Sequence, residues 1–182
     1  MLALFGLLAV PGRLHALPGD GGRARVVAEA QKLLAQRIRE HGGANRGPQV
    51  DALIKEAGGQ MGQPWCSWSV VVEFRRAGIK APRFGRARDW FDKVHTVWRA
   101  GRQVLSRPPP QPGDVVGFTW GAAVIGHVEL LIAWGTGPSA RCIGGNTGGG
   151  GALQREGEGM YENWRLKRMI AAVANVVDNP KY

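Results

Sequence analysis

The sequence predicts an α+β fold, with helices in the first half and a small antiparallel β-sheet in the second. Three observations carry this. Up to about residue 77 the apolar residues recur at helical spacing. From about residue 114 they alternate or run continuously, as strands do. Between the two regimes lies Pro108-Pro109-Pro110-Gln111-Pro112-Gly113, a stiff extended connection. Helices segregated from an antiparallel sheet are the α+β pattern.

The elements follow in chain order. Met1 to Val10 is apolar but too short to span a bilayer as a helix. It reads as the apolar part of a secretory signal, with Leu14-His15-Ala16 as the cleavage site, although no Lys or Arg precedes it. A packed segment and a membrane-surface anchor are the other readings. Pro11 to Gly22 is rich in Gly and Pro and reads as a linker, so residues 1–22 stand apart as an N-terminal segment. Residues 23–44 hold an N-terminal helix: Val26, Val27, Ala30, Leu33, Leu34 and Ile38 form its apolar face, and Gly42-Gly43 stops it. Residues 45–178 form the main domain. Pro48 to Ala57 is a second helix with Val50, Leu53 and Ile54 inward. A loop from Gly58 to Gly62 leads to a third, from Cys66 to about Ala77, stopped by Gly78. Arg86 to Ala100 is predicted helical, with Trp90, Phe91, Val94 and Trp98 on related faces. That aromatic stripe either packs into the core or lets Trp90 or Trp98 line a groove. Strands are predicted over Asp114–Trp120, Gly126–Trp134 and Ala140–Gly145, with one or two more in Leu166–Val177. The glycine-rich run Thr147 to Gly151 lacks the Lys and Ser/Thr of a phosphate-binding loop and reads as a flexible rim.

Composition bounds the function. The 182 residues suffice for one domain with a sizeable core, and 44% hydrophobic with 21% charged residues excludes large-scale disorder. The net charge of +10 favours anionic partners. The basic residues are scattered, as in Arg75-Arg76, Arg83, Arg86, Arg88 and Arg165-Leu166-Lys167-Arg168, with no zinc finger or RNA-recognition signature. Anionic cell-envelope polymers therefore fit better than nucleic acid. Cys66 and Cys142 are the only cysteines, so there is no disulfide framework. No Cys-x-x-Cys, His-Glu-x-x-His or dense acidic loop calls for a metal, and no cofactor is implied.

The chemistry concentrates at Gln63-Pro64-Trp65-Cys66-Ser67-Trp68. A thiol at a helix N-terminus meets the positive end of the macrodipole and free backbone N–H groups, and both favour the nucleophilic thiolate. Such a nucleophile needs a base and a third group that holds the base. His127, in Gly126-His127-Val128, and Asn146, in Gly144-Gly145-Asn146, are candidates. Glu129 alternates with His127 on one strand face, as a second orienting group, a substrate contact or a structural carboxylate.

A resemblance adds to this. Asn45-Arg46-Gly47-Pro48-Gln49-Val50-Asp51, Pro64-Trp65-Cys66-Ser67-Trp68, Pro112-Gly113-Asp114-Val115-Val116-Gly117-Phe118, Gly126-His127-Val128 and Gly144-Gly145-Asn146 occur in this order. Together they resemble the CHAP and NlpC/P60 group of papain-like cysteine peptidases and amidases, over roughly residues 45–173. That group includes phage endolysins, virion-associated lysins and bacterial autolysins that cleave amide bonds in peptidoglycan. The resemblance implies a papain-like fold with Cys66 as nucleophile, His127 as general base and Asn146 as orienting residue. Gln63 or Trp65 would add an oxyanion donor to the Cys66 N–H, and Trp90 would contribute to a substrate wall. One departure stands out: many CHAP members carry Glu two positions before that Asn, where this chain has Gly144. Some relatives bind calcium, but no ligand cluster here demands it. The implied setting is the cell envelope, the extracellular space or a virion, with membrane or virion association through the N-terminus as a further expectation. The competing reading is an inactive papain-like domain that binds cell wall or builds a virion.

Overall fold

Among the described residues, three helices pack on a seven-stranded antiparallel sheet. The computed structural model describes residues 20–121, 124–151 and 157–178; the expectations for Met1–Val10 and for the cleavage site lie outside them. The helices are α1 (Asp20–Ala35), α2 (Pro48–Ala57) and α3 (Cys66–Arg76). The strands are β1 (Thr96–Arg99), β2 (Arg102–Gln103), β3 (Val115–Thr119), β4 (Ile125–Ala133), β5 (Ser139–Thr147), β6 (Gly159–Leu166) and β7 (Ile170–Ala174). Their order in the sheet is β2-β1-β7-β3-β4-β5-β6. The α+β expectation holds.

Local chemistry explains the helix ends that matter. Pro48 opens α2, where its missing N–H costs nothing, and Gly58 closes it at φ 86°, a left-handed conformation glycine adopts without strain. Its N–H meets the carbonyls of Ile54 and Lys55. The turn that follows delivers the chain to α3, which begins at Cys66 itself.

The sheet separates two apolar clusters. Val70, Val71 and Phe74 of α3 join Val26, Leu33, Ile54 and Trp90 against Val115, Val128, Leu130 and Ile143. On the other face lie Val97, Val116, Phe118, Leu131, Cys142 and Val173. Strand alternation thus divides β4: Val128, Leu130 and Ile132 face the helices, while Leu131 faces away, with His127 and Glu129 in the same register. The Pro-Gly-Asp turn is a structural latch. Arg23 of α1 donates to Pro112 O at 2.9 Å and to Asp114 Oδ1 at 2.8 Å, tying the first helix to the start of β3.

The segment 86–100 departs from its helical expectation. Only Ala87–Trp90 is helical, as a 3-10 turn, and Thr96–Arg99 is a strand paired with β7. β-branched Thr96 and Val97 beside Trp98 suit a pleated edge better than a helix. Trp90 is fully buried, stacks on Phe74 and donates to Ser67 Oγ at 2.7 Å. It is a core residue and lines no groove, because Phe74 and Phe84 cover its ring. Trp98 packs against Trp134 beside the far cluster. The glycine-rich run after β5 is tied down: Gly151 N–H donates to Asn163 Oδ1, and Asn163 Nδ2 donates to Gly148 O.

Candidate active site

The Cys66 side chain sits where α3 starts, 5% exposed, against the early part of β4. Trp65, one residue earlier, is fully buried and braces this start. Its indole N–H donates to Glu40 Oε1 at 2.8 Å. Gly145 makes the fit feasible, since a Cβ there would lie 2.5 Å from the Trp65 ring. The indole hydrogen of Trp65 is thus committed to Glu40 and is not free for a substrate oxyanion.

The thiol lies close enough to the His127 imidazole for each to shift the other's titration. Burial alone raises the thiol pKa, but the His127 hydrogen bond and charge, with the N–H groups of Val128 and Ser67, bring it below its ordinary value. The His127 pKa is raised to about 9: burial lowers it, and the contacts with Cys66 and Glu129 outweigh burial. Each of the two groups thus favours the charged form of the other, thiolate beside imidazolium. His127 Nε2 lies 3.2 Å from Glu129 Oε1, which leaves Nδ1 as the ring nitrogen for the thiol. The ring lies between those of Phe118 and Trp120, with centroids at 6.0 and 5.9 Å. Gly126 permits this cover, because a Cβ there would lie 2.2 Å from Trp120.

Glu129 is the third member of the cluster. It is fully buried and receives two hydrogen bonds from Arg165, one from Nε at 2.9 Å and one from Nη2. Burial pushes its carboxyl up, and Arg165 and His127 bring it below the usual carboxylate range. Arg165 also donates to Thr147 Oγ1 at 3.0 Å and Gly151 O at 2.7 Å. A Cβ at Gly144 would lie 2.5 Å from Glu129 Cγ. The missing side chain at Gly144 is thus the space that Glu129 fills from the neighbouring strand.

Asn146 does not take the orienting position expected of it. Its backbone is left-handed at φ 54°, and the β5–β6 register shifts between Gly144 and Thr147. That break turns the carboxamide toward Gly157 O at 2.7 Å and Glu40 Oε1 at 3.2 Å. Glu129 holds the second ring nitrogen instead. Arg165, grouped above with the scattered surface cations, is only 2% exposed. No sequence signal separated it from Lys167 and Arg168; the one clue was its place in a strand that was itself missed.

A cleft of about 590 Å³ opens at Cys66, lined by Gln63, Pro64, the segment Arg83–Asp89 and Val124–Gly126. Gln63 is held by its carboxamide oxygen, which accepts from Trp68 Nε1 at 3.1 Å and Gln60 N at 3.0 Å. Its amide N–H groups make no protein hydrogen bond among the described residues. Among those residues, no group of three or more His, Cys, Asp or Glu could hold a metal ion, and no helix is long and apolar enough to cross a membrane.

Residues 58–146 match the CHAP domain family. The chain carries a CHAP domain. The matched span runs from the end of α2 through Cys66 and His127 to Asn146. No curated protein and no solved structure matches the chain. CHAP domains generally act as hydrolases on peptidoglycan, and this CHAP domain places a thiol, an imidazole and a carboxylate side by side in series.

Proposed function

We propose that the protein is a papain-like cysteine hydrolase that cleaves an amide bond in peptidoglycan peptides. The observation that carries this is the buried series Cys66–His127–Glu129 opening on a cleft. The Cys66 thiolate attacks the amide carbonyl, forming a C–S bond and an oxyanion. The Cys66 backbone N–H and the Gln63 amide are the donors proposed for that oxyanion. Collapse breaks the C–N bond, and His127 gives its proton to the leaving amine. Water then attacks the thioester as His127 takes its proton; the C–S bond breaks, the Cys66 thiolate is restored and the acid product departs as a carboxylate. Glu129 stabilises the imidazolium and fixes its ring, while Arg165 holds Glu129.

An inactive wall-binding module would not need a thiol brought below its ordinary pKa, so the enzyme reading is favoured. The proposed setting is the cell envelope, the extracellular space or a virion, where the net charge of +10 favours anionic polymers. The test is mass spectrometry of fragments released from purified peptidoglycan. Each cut should add one water and create one new amine and one new carboxylate. Glycan-strand cleavage, or no release from any wall type, would refute the proposal.

A further inference from the structure

The cleft beside Cys66 is lopsided in charge. Its lining includes Arg83, Arg86 and Arg88 against a single acid, Asp89. None of the three cations is well paired with a carboxylate. Arg83 donates to the carbonyls of Ala57 and Gly58. The Arg86 guanidinium has no hydrogen bond among the described residues. Arg88 lies 3.9 Å from Asp89 Oδ1, beyond hydrogen-bond distance. A second cleft of about 520 Å³ shares Arg88, Val124 and Ile125 with the first and adds Arg99, whose guanidinium donates to Phe91 O. Apart from Gln63 and the Cys66 thiol, the remaining lining is small or apolar, with Pro64, Phe84, Ala87, Val124 and Ile125. An extended groove therefore runs from the thiol past one cationic wall.

A concave surface with cations of one sign concentrates field and attracts anions. A guanidinium fork matches a carboxylate in charge and shape. We propose that Arg86 and Arg88 form a carboxylate-binding wall of the substrate site. The chain then cleaves peptides that carry a free carboxylate near the cleaved amide, in preference to their carboxamide forms. This rests on the hydrolase reading for its substrate but not for its anion site. A phosphate would fit the same cations. Because the wall shares its cleft with the nucleophile, the anion belongs to the substrate peptide.

The experiment compares the wild type with Arg86→Gln/Arg88→Gln and with Lys93→Gln/Arg102→Gln, a variant of equal net charge altered at exposed sites outside both clefts. Substrates are untreated peptidoglycan, peptidoglycan stripped of phosphodiester polymers, and peptidoglycan whose carboxylates have been converted to carboxamides. Amine release by the wild type should fall about tenfold on the carboxamide form and stay within twofold on the stripped form. Arg86→Gln/Arg88→Gln should lose about tenfold on untreated wall and little more on the carboxamide form. The charge-matched variant should follow the wild type. Equal cleavage of carboxylate and carboxamide walls, or a loss that tracks phosphodiester removal, overturns the proposal.

A second readout needs no hydrolysis. Cys66 is alkylated with anionic iodoacetate and with neutral iodoacetamide, and the rates are read by peptide mapping. The ratio of the two rates should fall at least threefold in Arg86→Gln/Arg88→Gln and hold in the charge-matched variant. An unchanged ratio overturns the anion site even in a protein that cleaves no wall.

Discussion

Replacing Glu129 by Ala tests the buried half of the site. Glu129 is fully buried and accepts from Arg165 twice and faces His127 Nε2 at 3.2 Å. Arg165 is 2% exposed, and its remaining partners, Thr147 Oγ1 and Gly151 O, are neutral. The substitution therefore strands a guanidinium in the interior without a counter-charge. Breaking a buried ion pair in this way costs about 3–5 kcal/mol. Domains of this size have about 5–15 kcal/mol in total, so the variant should sit near the edge of folding. The assay is equilibrium unfolding in urea at pH 7. Adding Arg165→Met removes the stranded charge and fills space, so the double variant should recover most of the loss. It should still hydrolyse poorly, because His127 has lost the carboxylate that holds it. A single variant within about 1 kcal/mol of wild type would refute the claim that Glu129 and Arg165 depend on each other.

Four further predictions concern protons and donors. Alkylation of Cys66 by iodoacetamide should reach its half-maximal rate at a pH below that of an ordinary thiol, because the His127 contact lowers the thiol pKa; a midpoint at or above the ordinary thiol value would contradict this. Hydrolysis should decline as pH passes about 9, where the His127 imidazolium loses its proton; a decline centred near pH 6.5 would contradict this. Gln63→Ala should lower kcat about tenfold or more with little change in KM, as expected for an oxyanion donor; a change confined to KM would contradict it. Glu73 is fully buried on α3, neither of its carboxylate oxygens has a partner, and burial holds its pKa well above the ordinary value. Between about pH 4.5 and its raised folded value it is therefore mostly neutral when folded and mostly ionised when unfolded. Its contribution is fully present below about pH 4.5 and is lost as pH rises toward the folded value, at up to about 1.4 kcal/mol per pH unit. Glu73→Met should raise the unfolding midpoint at pH 7 and flatten its fall above pH 4.5; a lowered midpoint would contradict this.

Helices α2 and α3 and strands β3, β4 and β5 were legible because their apolar spacing agrees with where each residue is buried. Strand β1 was read as helix: its aromatic residues also fit a helical stripe, and only pairing with β7 decides. Strand β6 was missed for a different reason. It buries Asn163 and Arg165 and exposes Trp164, inverting the usual pattern. That inversion hid Arg165 as well. Cys66 and His127 could be paired from the motifs alone. Asn146 could not be placed, because a left-handed residue and a register shift break the alternation on which such placement depends. Gly144 was noted as a gap in the family pattern, and the gap proves to be the room that Glu129 occupies.

The most direct measurement is amine release from purified peptidoglycan by the wild type, Cys66→Ala and Cys142→Ala. Cys142 is buried on β5, and burial holds its thiol well above the ordinary pKa, so it should be inert. The account predicts release by the wild type and Cys142→Ala and none by Cys66→Ala. Undiminished release by Cys66→Ala would contradict the claim that this thiol performs the reaction.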